Sequence, residues 1–302
     1  MKASKRMLVL FLAPAILAYV FMFLYPTLRT VYFSFFRVTA FAGAEPEFRG
    51  LKNYTELFAT PLFVESFEVI LKWWLIGGAA LYAGAFLFTL LFMTGIRFKS
   101  FWRAVLYGPN IINVVAMTTM WAQYIYSPRY GLFKSFFEAV GLDSLASYQW
   151  TALNNLFQSV LLAYVWGSIG YFFLIIQSGV ERIPVDLFEA AKIDGAGTVQ
   201  SFFRITLPLL RDVLRVTTVM WSITAINMFA FPKTFTPVQQ PRATTTPAIY
   251  LYQLAFGSST EGGALGGHAI GKAAAAAVML LVLVIVVSAL ISQLLKERRL
   301  EY

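Results

Sequence analysis

The sequence predicts an all-α integral membrane protein with six transmembrane helices and both termini in the cytoplasm. Three observations carry this reading. The 302 residues are 59% hydrophobic, only 13% charged and include 29 Phe, whereas soluble domains carry about a quarter charged residues. A soluble core cannot hide apolar surface on this scale, but a bilayer solvates it. Six stretches reach the roughly 20 apolar residues needed to cross ~30 Å of hydrocarbon. They fall at about 7–36, 67–95, 101–126, 153–180, 213–231 and 269–295, within one domain spanning 1–302. Finally, with the N-terminus inside, 14 of the 24 Lys and Arg lie in the inner segments, the direction in which basic residues orient membrane helices.

The first stretch follows Lys2, Lys5 and Arg6 and has the look of a secretion signal. Its apolar run outlasts a signal core of about 7–15 residues, and the small-residue site "APA" at Ala13–Ala15 sits in its middle. It is therefore read as a retained anchor. The outer segments "FRGLKNYTELF" and "SPRYGLFKSFFEAVGLDSLASYQW" have the apolar-polar mix of short amphipathic pieces. "FPKTFTPVQQPRATTTP" holds four prolines and no helical period, so it is expected to be extended. The small residues of "GGAALYAGA" and "GKAAAAA" allow helices to approach closely in lipid.

Between the fourth and fifth stretches the chain becomes half polar. In segment 181–210, Pro184 suits a first helical turn, and Asp186 and Glu189 complement the N-terminal end of the helix dipole. Gly195 stops that helix. A second short helix with Val199, Phe202 and Phe203 follows, until Leu207–Pro208 opens the next span. Five acids and five bases cancel between Glu181 and Arg215. A helix lying on headgroups would favour Lys and Arg on its polar face, so the segment suits a protein groove better than lipid.

Glu189, Ala190, Ala191, Asp194, Gly195, Ala196, Leu207 and Pro208 at this spacing resemble the EAA loop of binding-protein-dependent ABC transporter permeases. "GLKNY", "SPRYG" and "ERIP" are similar to the carbohydrate-uptake branch that includes the maltose and glycerol-3-phosphate permeases. The resemblance covers nearly the whole chain and implies the type I importer permease fold. It also implies that the loop is a coupling helix docked on a cytoplasmic ATPase subunit, with Glu189 meeting its groove and Gly195 bending the two halves to fit. The implied partners are a second six-span permease, two ATPase subunits that carry the ATP and Mg²⁺, an extracytoplasmic solute-binding protein and a substrate that is a sugar, an oligosaccharide or a glycerol-3-phosphate-like solute. The implied location is the inner or plasma membrane of a bacterium or archaeon.

Polar groups inside spans are costly and mark packing interfaces or a pathway. The candidates are Asn110 and Asn113; Tyr164, Trp166 and Ser168; and Trp221, Thr224, Asn227 and Met228. Aromatic faces and amides are what sugars use. The resemblance places Tyr164, Ser168, Trp221 and Met228 at positions lining the family's midplane site, with Asn110 similarly after a proline.

Other chemistries fit poorly. There is no cysteine and one histidine, His268, so a metal site or a catalytic site within this chain is not expected, nor is a cofactor. A secondary transporter or an intramembrane enzyme needs ionisable groups inside the spans, and the span interiors hold no carboxylate. The net charge of +9 flanks the apolar runs and forms no dense nucleic-acid-binding block. "GGHAIGKA" imitates a phosphate loop, but Ala273 stands where Ser or Thr must hold Mg²⁺, and no strand precedes it.

Overall fold

In lipid a backbone finds no outside partners, so every N–H and C=O must pair within the protein, which favours helices. The computed structural model describes residues 5–38, 45–238, 240–260, 263–265 and 269–295. His268 and the terminal basic residues Lys2, Lys296, Arg298 and Arg299 lie outside the described residues.

Helix α1 (Val9–Phe33) leads to a two-residue strand pair, Phe36–Arg37 against Glu47–Phe48. Helix α2 (Lys52–Phe58) is the amphipathic piece expected around "GLKNY". Asn53 Nδ2 fastens it to the end of α1 by donating to the Ser34 carbonyl at 2.8 Å and the Phe36 carbonyl at 2.9 Å. Helix α3 (Pro61–Met93) starts ahead of the predicted residue 67 because Pro61 takes the first helical position, where its missing N–H costs nothing. Gly95, with φ +84°, ends it.

The third apolar run is interrupted. Helix α4 (Lys99–Ile111) stops at Ile112 and Asn113, whose ψ angles are 132° and 140°. Helix α5 (Val114–Thr119) restarts there and runs on as a π turn to Ile125. Asn113 dictates the restart: its Oδ1 accepts from the Val115 N–H at 2.9 Å, a side-chain cap on an otherwise orphaned donor. Helices α6 (Leu132–Ala139) and α7 (Asp143–Ala146) are short pieces, and α8 (Leu153–Val180) matches the fourth predicted stretch.

Helix α9 (Val185–Ile193) and α10 (Thr198–Ser201) flank Gly195, and α10 continues through a π turn to Thr206. The fifth run is also broken: α11 (Arg211–Ile226) ends at Asn227, and α12 (Ala230–Phe235) begins anew. The loop expected to be extended from Phe231 onward is therefore helical at its start. Pro232 stands in the first turn of α12, where no N–H is required of it. Helix α13 (Pro247–Phe256), a hairpin of Ser258–Thr260 with Gly263–Leu265, and helix α14 (Ile270–Leu294) complete the described chain. Among the described residues, α1, α3, α8 and α14 are the helices able, by length and composition, to cross a membrane unbroken.

Helix α8 is the hub. Phe172, Phe173 and Ile176 pack on Leu81, Ala85 and Phe92 of α3 and on Trp221 of α11. Val160, Ala163 and Val165 pack on Trp73, Met117, Trp121 and Phe231. The small residues of α3 do what their type allows. A Cβ at Gly78 would lie 2.6 Å from Trp221 Nε1, and one at Gly84 would lie 2.8 Å from Ile169 Cδ1. Two ends are tied separately. At one, Ile270 N donates to the Val38 carbonyl at 2.9 Å and Lys272 Nζ pairs with Glu56 at 2.7 Å. At the other, Arg103 of α4 pairs with Glu181 at the end of α8.

Candidate functional site: a cavity at two helix breaks

Irregular backbone is tolerated at membrane depth only where it is buried in protein or lines a cavity. The two helix breaks of this chain face one cavity of about 330 Å³. Pro109, Asn110, Ile112, Val114 and Met117 come from the α4–α5 break. Thr224 and Asn227 to Phe231 come from the α11–α12 break, and Tyr164, Gly167 and Ser168 come from α8. Thr118 Oγ1 donates to Thr234 Oγ1 at 3.1 Å and stitches α5 to α12. Asn110 Nδ2 reaches the Gly167 carbonyl at 3.5 Å, and Asn227 Nδ2 donates back to the Ile223 carbonyl at 2.9 Å.

Tyr164 is held by three rings, with centroids 5.4 Å from Trp73, 6.2 Å from Trp221 and 5.3 Å from Phe231. Among the described residues, no charged side chain lines the cavity. Its polar groups are neutral donors and acceptors set between Met and Phe surfaces. It can hydrogen-bond an uncharged solute but offers no counter-ion to a charged one.

Of the nine candidates named from sequence, the fold brings six together here: Asn110, Tyr164, Ser168, Thr224, Asn227 and Met228. Trp221 is placed elsewhere. It is 2% exposed, its Nε1 donates to the Trp74 carbonyl at 3.0 Å, and its indole fills the gap over Gly77 and Gly78. Asn113 spends its side chain on the α5 cap. Trp166 stacks edge-on against Trp121 at 5.5 Å, away from the cavity wall. Sequence reasoning missed Ile112, Phe229 and Ala230. The available signal was an Asn within each apolar run, at Asn113 and Asn227, where a helix has reason to stop.

The half-polar segment forms a second exposed feature. Helix α9 closes with a glycine cap: Ala196 N donates to the Ala191 carbonyl at 2.8 Å and Gly195 N to the Lys192 carbonyl at 3.0 Å, with Gly195 at φ +78°. This is the left-handed C-cap that glycine adopts without strain. Ala191 is buried and Phe188 packs against the α3–α8 core, so one side of α9 is anchored. The other side shows Glu189, Ala190, Lys192 and Asp194 around Ile193, which is 87% exposed. Leu187, Val199 and Phe203 are exposed beside it. Ala196 and Leu207 are half-buried and Pro208 is exposed. Among the described residues, no group of His, Cys, Asp and Glu could hold a metal ion.

The chain was compared with known proteins. Residues 5–302 match the family described as binding-protein-dependent transport system inner membrane component. A probable ABC transporter permease protein, YurN of Bacillus subtilis, is 31% identical over 82% of this chain and 84% of its own length. The sulfoquinovosyl glycerol transport system permease protein SmoG of Agrobacterium fabrum is 30% identical over 83% and 80%. The sn-glycerol-3-phosphate transport system permease protein UgpA of Escherichia coli O157:H7 is 28% identical over 82% of each. In fold, the chain superposes on a bacterial ABC transporter involved in import of the acidic polysaccharide alginate, with a TM-score of 0.75 at 19% identity, covering 99% and 97%. The chain therefore belongs to the binding-protein-dependent transport system inner membrane components, and it is a multi-pass permease subunit of an ABC transporter rather than an enzyme.

Proposed function

We propose that this chain is one of two transmembrane subunits of an ATP-driven importer, and that its cavity passes a neutral, polyhydroxylated solute of the sugar class. The observation that carries this is the cavity's chemistry. Amide and hydroxyl groups of Asn110, Asn227, Thr224, Ser168 and Tyr164 stand between Met228 and Phe231, with no charge among them. Sugar hydroxyls pair with such groups, and sugar C–H faces rest on aromatic rings. A relative named for diacetylchitobiose uptake supports the class, whereas sulfoquinovosyl glycerol, in the name of another, is a sugar that carries a sulfonate. A phosphorylated solute, as in the glycerol-3-phosphate relatives, would be stripped of water without a counter-ion here. That class requires a cation from the sister subunit.

In this reading α4–α5 and α11–α12 each act as one interrupted span, giving six crossings with both termini in the cytoplasm. The 181–210 loop docks on one of two ATPase subunits, which bind the ATP and Mg²⁺. An external binding protein delivers the solute to the end bearing α2, α6 and α7. The test is reconstitution of the whole complex in liposomes, with ATP-dependent uptake of neutral oligosaccharides measured against phosphorylated competitors. Uptake confined to phosphate esters would overturn the assignment of the solute class.

A further inference from the structure

We propose that Arg103 and Glu181 are positioning residues for transport. They clamp α4 to α8 so that both helices carry a displacement of the α9 loop to the cavity as one body. The proposal rests on the reading of that loop as the ATPase contact.

Four observations lead here. First, α8 passes into α9 without slack. Arg182 N donates to the Gly179 carbonyl and Ile183 N to the Val180 carbonyl, both at 3.1 Å. Ile183 is buried, and Phe188 of α9 packs on the same core as α8. A push on α9 therefore reaches α8 instead of being absorbed in a flexible joint.

Second, α4 lies antiparallel to α8 with backbone almost in contact. A Cβ at Gly170 would overlap the Leu106 carbonyl oxygen and sit 2.9 Å from Tyr107 Cα. Small residues permit such approach, but a glycine surface offers no knobs to fix the register of one helix along the other. The fastenings lie on either side of this crossing. Asn110 binds the Gly167 carbonyl at the cavity, and Arg103 pairs with Glu181 at the α9 end.

Third, the Arg103–Glu181 pair is braced from both sides. Arg103 also stands over the Phe92 ring of α3, 5.9 Å from its centroid, and Glu181 accepts from Gln177 Nε2 at 3.3 Å. Arg103 Nε and Gln177 Oε1 remain buried without partners among the described residues. Unmet buried groups cost free energy, so fold stability alone is a poor account of this cluster.

Fourth, both clamped helices end in the site. Asn110 belongs to α4, and Tyr164, Gly167 and Ser168 belong to α8. If the two slid independently, loop motion would move only one wall of the cavity.

The chain has no cysteine, so spin labels can be placed on a native background. Cysteines at the exposed positions Lys99 and Arg182 report the α4–α8 register in the assembled complex in liposomes. With the clamp intact, the label distance is expected to match in the nucleotide-free and vanadate-trapped states. A change beyond about 5 Å, one helical turn, would overturn the proposal without any clamp variant being needed. Glu181→Gln and Arg103→Gln should broaden the distance and lower solute transported per ATP about fivefold or more, with the ATPase still bound. The reversed pair, Arg103→Glu with Glu181→Arg, should recover it. Normal transport per ATP in both single variants, or no recovery in the reversed pair, would defeat the clamp. Failure of the underlying loop reading looks different: Glu189→Lys would then couple normally. If Glu189→Lys uncouples and Glu181→Gln does not, only the clamp falls.

Discussion

Thr246 donates its hydroxyl to the Met228 carbonyl at 2.5 Å, and the same oxygen accepts from the Ile249 N–H at 3.3 Å. One fully buried side chain thus satisfies a carbonyl freed by the α11–α12 break and caps α13. The loop between α12 and α13 is folded into the break, which fixes the backbone of the cavity wall.

Thr246→Val keeps the shape and removes both bonds. A buried carbonyl left unmet costs about 1–3 kcal/mol, and a lost cap adds about 1 kcal/mol. The thermal midpoint of the purified complex should fall, and Thr246→Ser should restore most of it. An unchanged midpoint in the valine variant would remove this bond from the account of the wall.

The cavity separates two classes of variant. Asn110→Ala and Asn227→Ala take a hydrogen-bonding group from the wall and are expected to raise the apparent KM for solute about tenfold, the scale of one such contact, with assembly intact. Trp221→Ala empties a packed position and removes the indole donor from the Trp74 carbonyl, which keeps the Gly78 N–H. It should cost about 3–5 kcal/mol of stability and reduce the amount of folded protein. A Trp221→Ala protein of normal abundance with altered solute affinity would return Trp221 to the pathway.

Much of this arrangement was legible in the sequence, for reasons that differ by element. The helix–glycine–helix loop was readable because its signals are local: Asp186 and Glu189 at one end and Gly195 at the other act within one or two turns. The four unbroken helices were readable because lipid imposes a length. The breaks at Asn113 and Asn227 were hidden, since apolar residues run across both and hydropathy does not register where a helix stops. Trp221 was misplaced because residue type says nothing about direction. Its direction is set by contacts far away along the chain: the indole covers Gly77 and Gly78, its Nε1 donates to the Trp74 carbonyl 147 positions away, and Trp74 Nε1 donates in turn to Ser222 Oγ, 148 positions away.

The end bearing α2 carries its own titration. Lys272 Nζ lies 2.7 Å from Glu56 and Arg49 lies 3.2 Å from it. The hydrogen bond from Lys272 holds the Glu56 carboxyl below its ordinary 4.5. A carboxylate lowered in the folded state stabilises above its unfolded pKa and loses that contribution as pH falls through the folded one. Stability should therefore be insensitive to this group from neutral pH down to about 5 and decline in more acid solution. Glu56→Gln should flatten that acid decline. If the wild type and the glutamine variant lose stability in parallel below that range, the pair does not control it.

The 181–210 loop gives the sharpest test of how the chain is driven. Gly195 sits at φ +78° with open space where a Cβ would stand, so a substitution there meets backbone strain and no clash. A β-branched residue pays about 1–2 kcal/mol for that conformation, whereas Asn tolerates it. Glu189 is exposed, so reversing its charge touches little inside this chain. If the loop serves only the fold, Gly195→Val should lower stability, and Glu189→Lys should do nothing. If it is the ATPase contact, Glu189→Lys and Gly195→Val should both leave the permease pair abundant. Both should then weaken ATPase association or lower transport per ATP, since a misfitted charge at an interface costs several kcal/mol. Gly195→Asn should behave nearly as wild type, which separates the bend from the loss of glycine itself. The measurement is subunit stoichiometry of the purified complex together with solute transported per ATP. Full assembly and normal coupling in Glu189→Lys and Gly195→Val would leave the exposed strip around Ile193 without this partner.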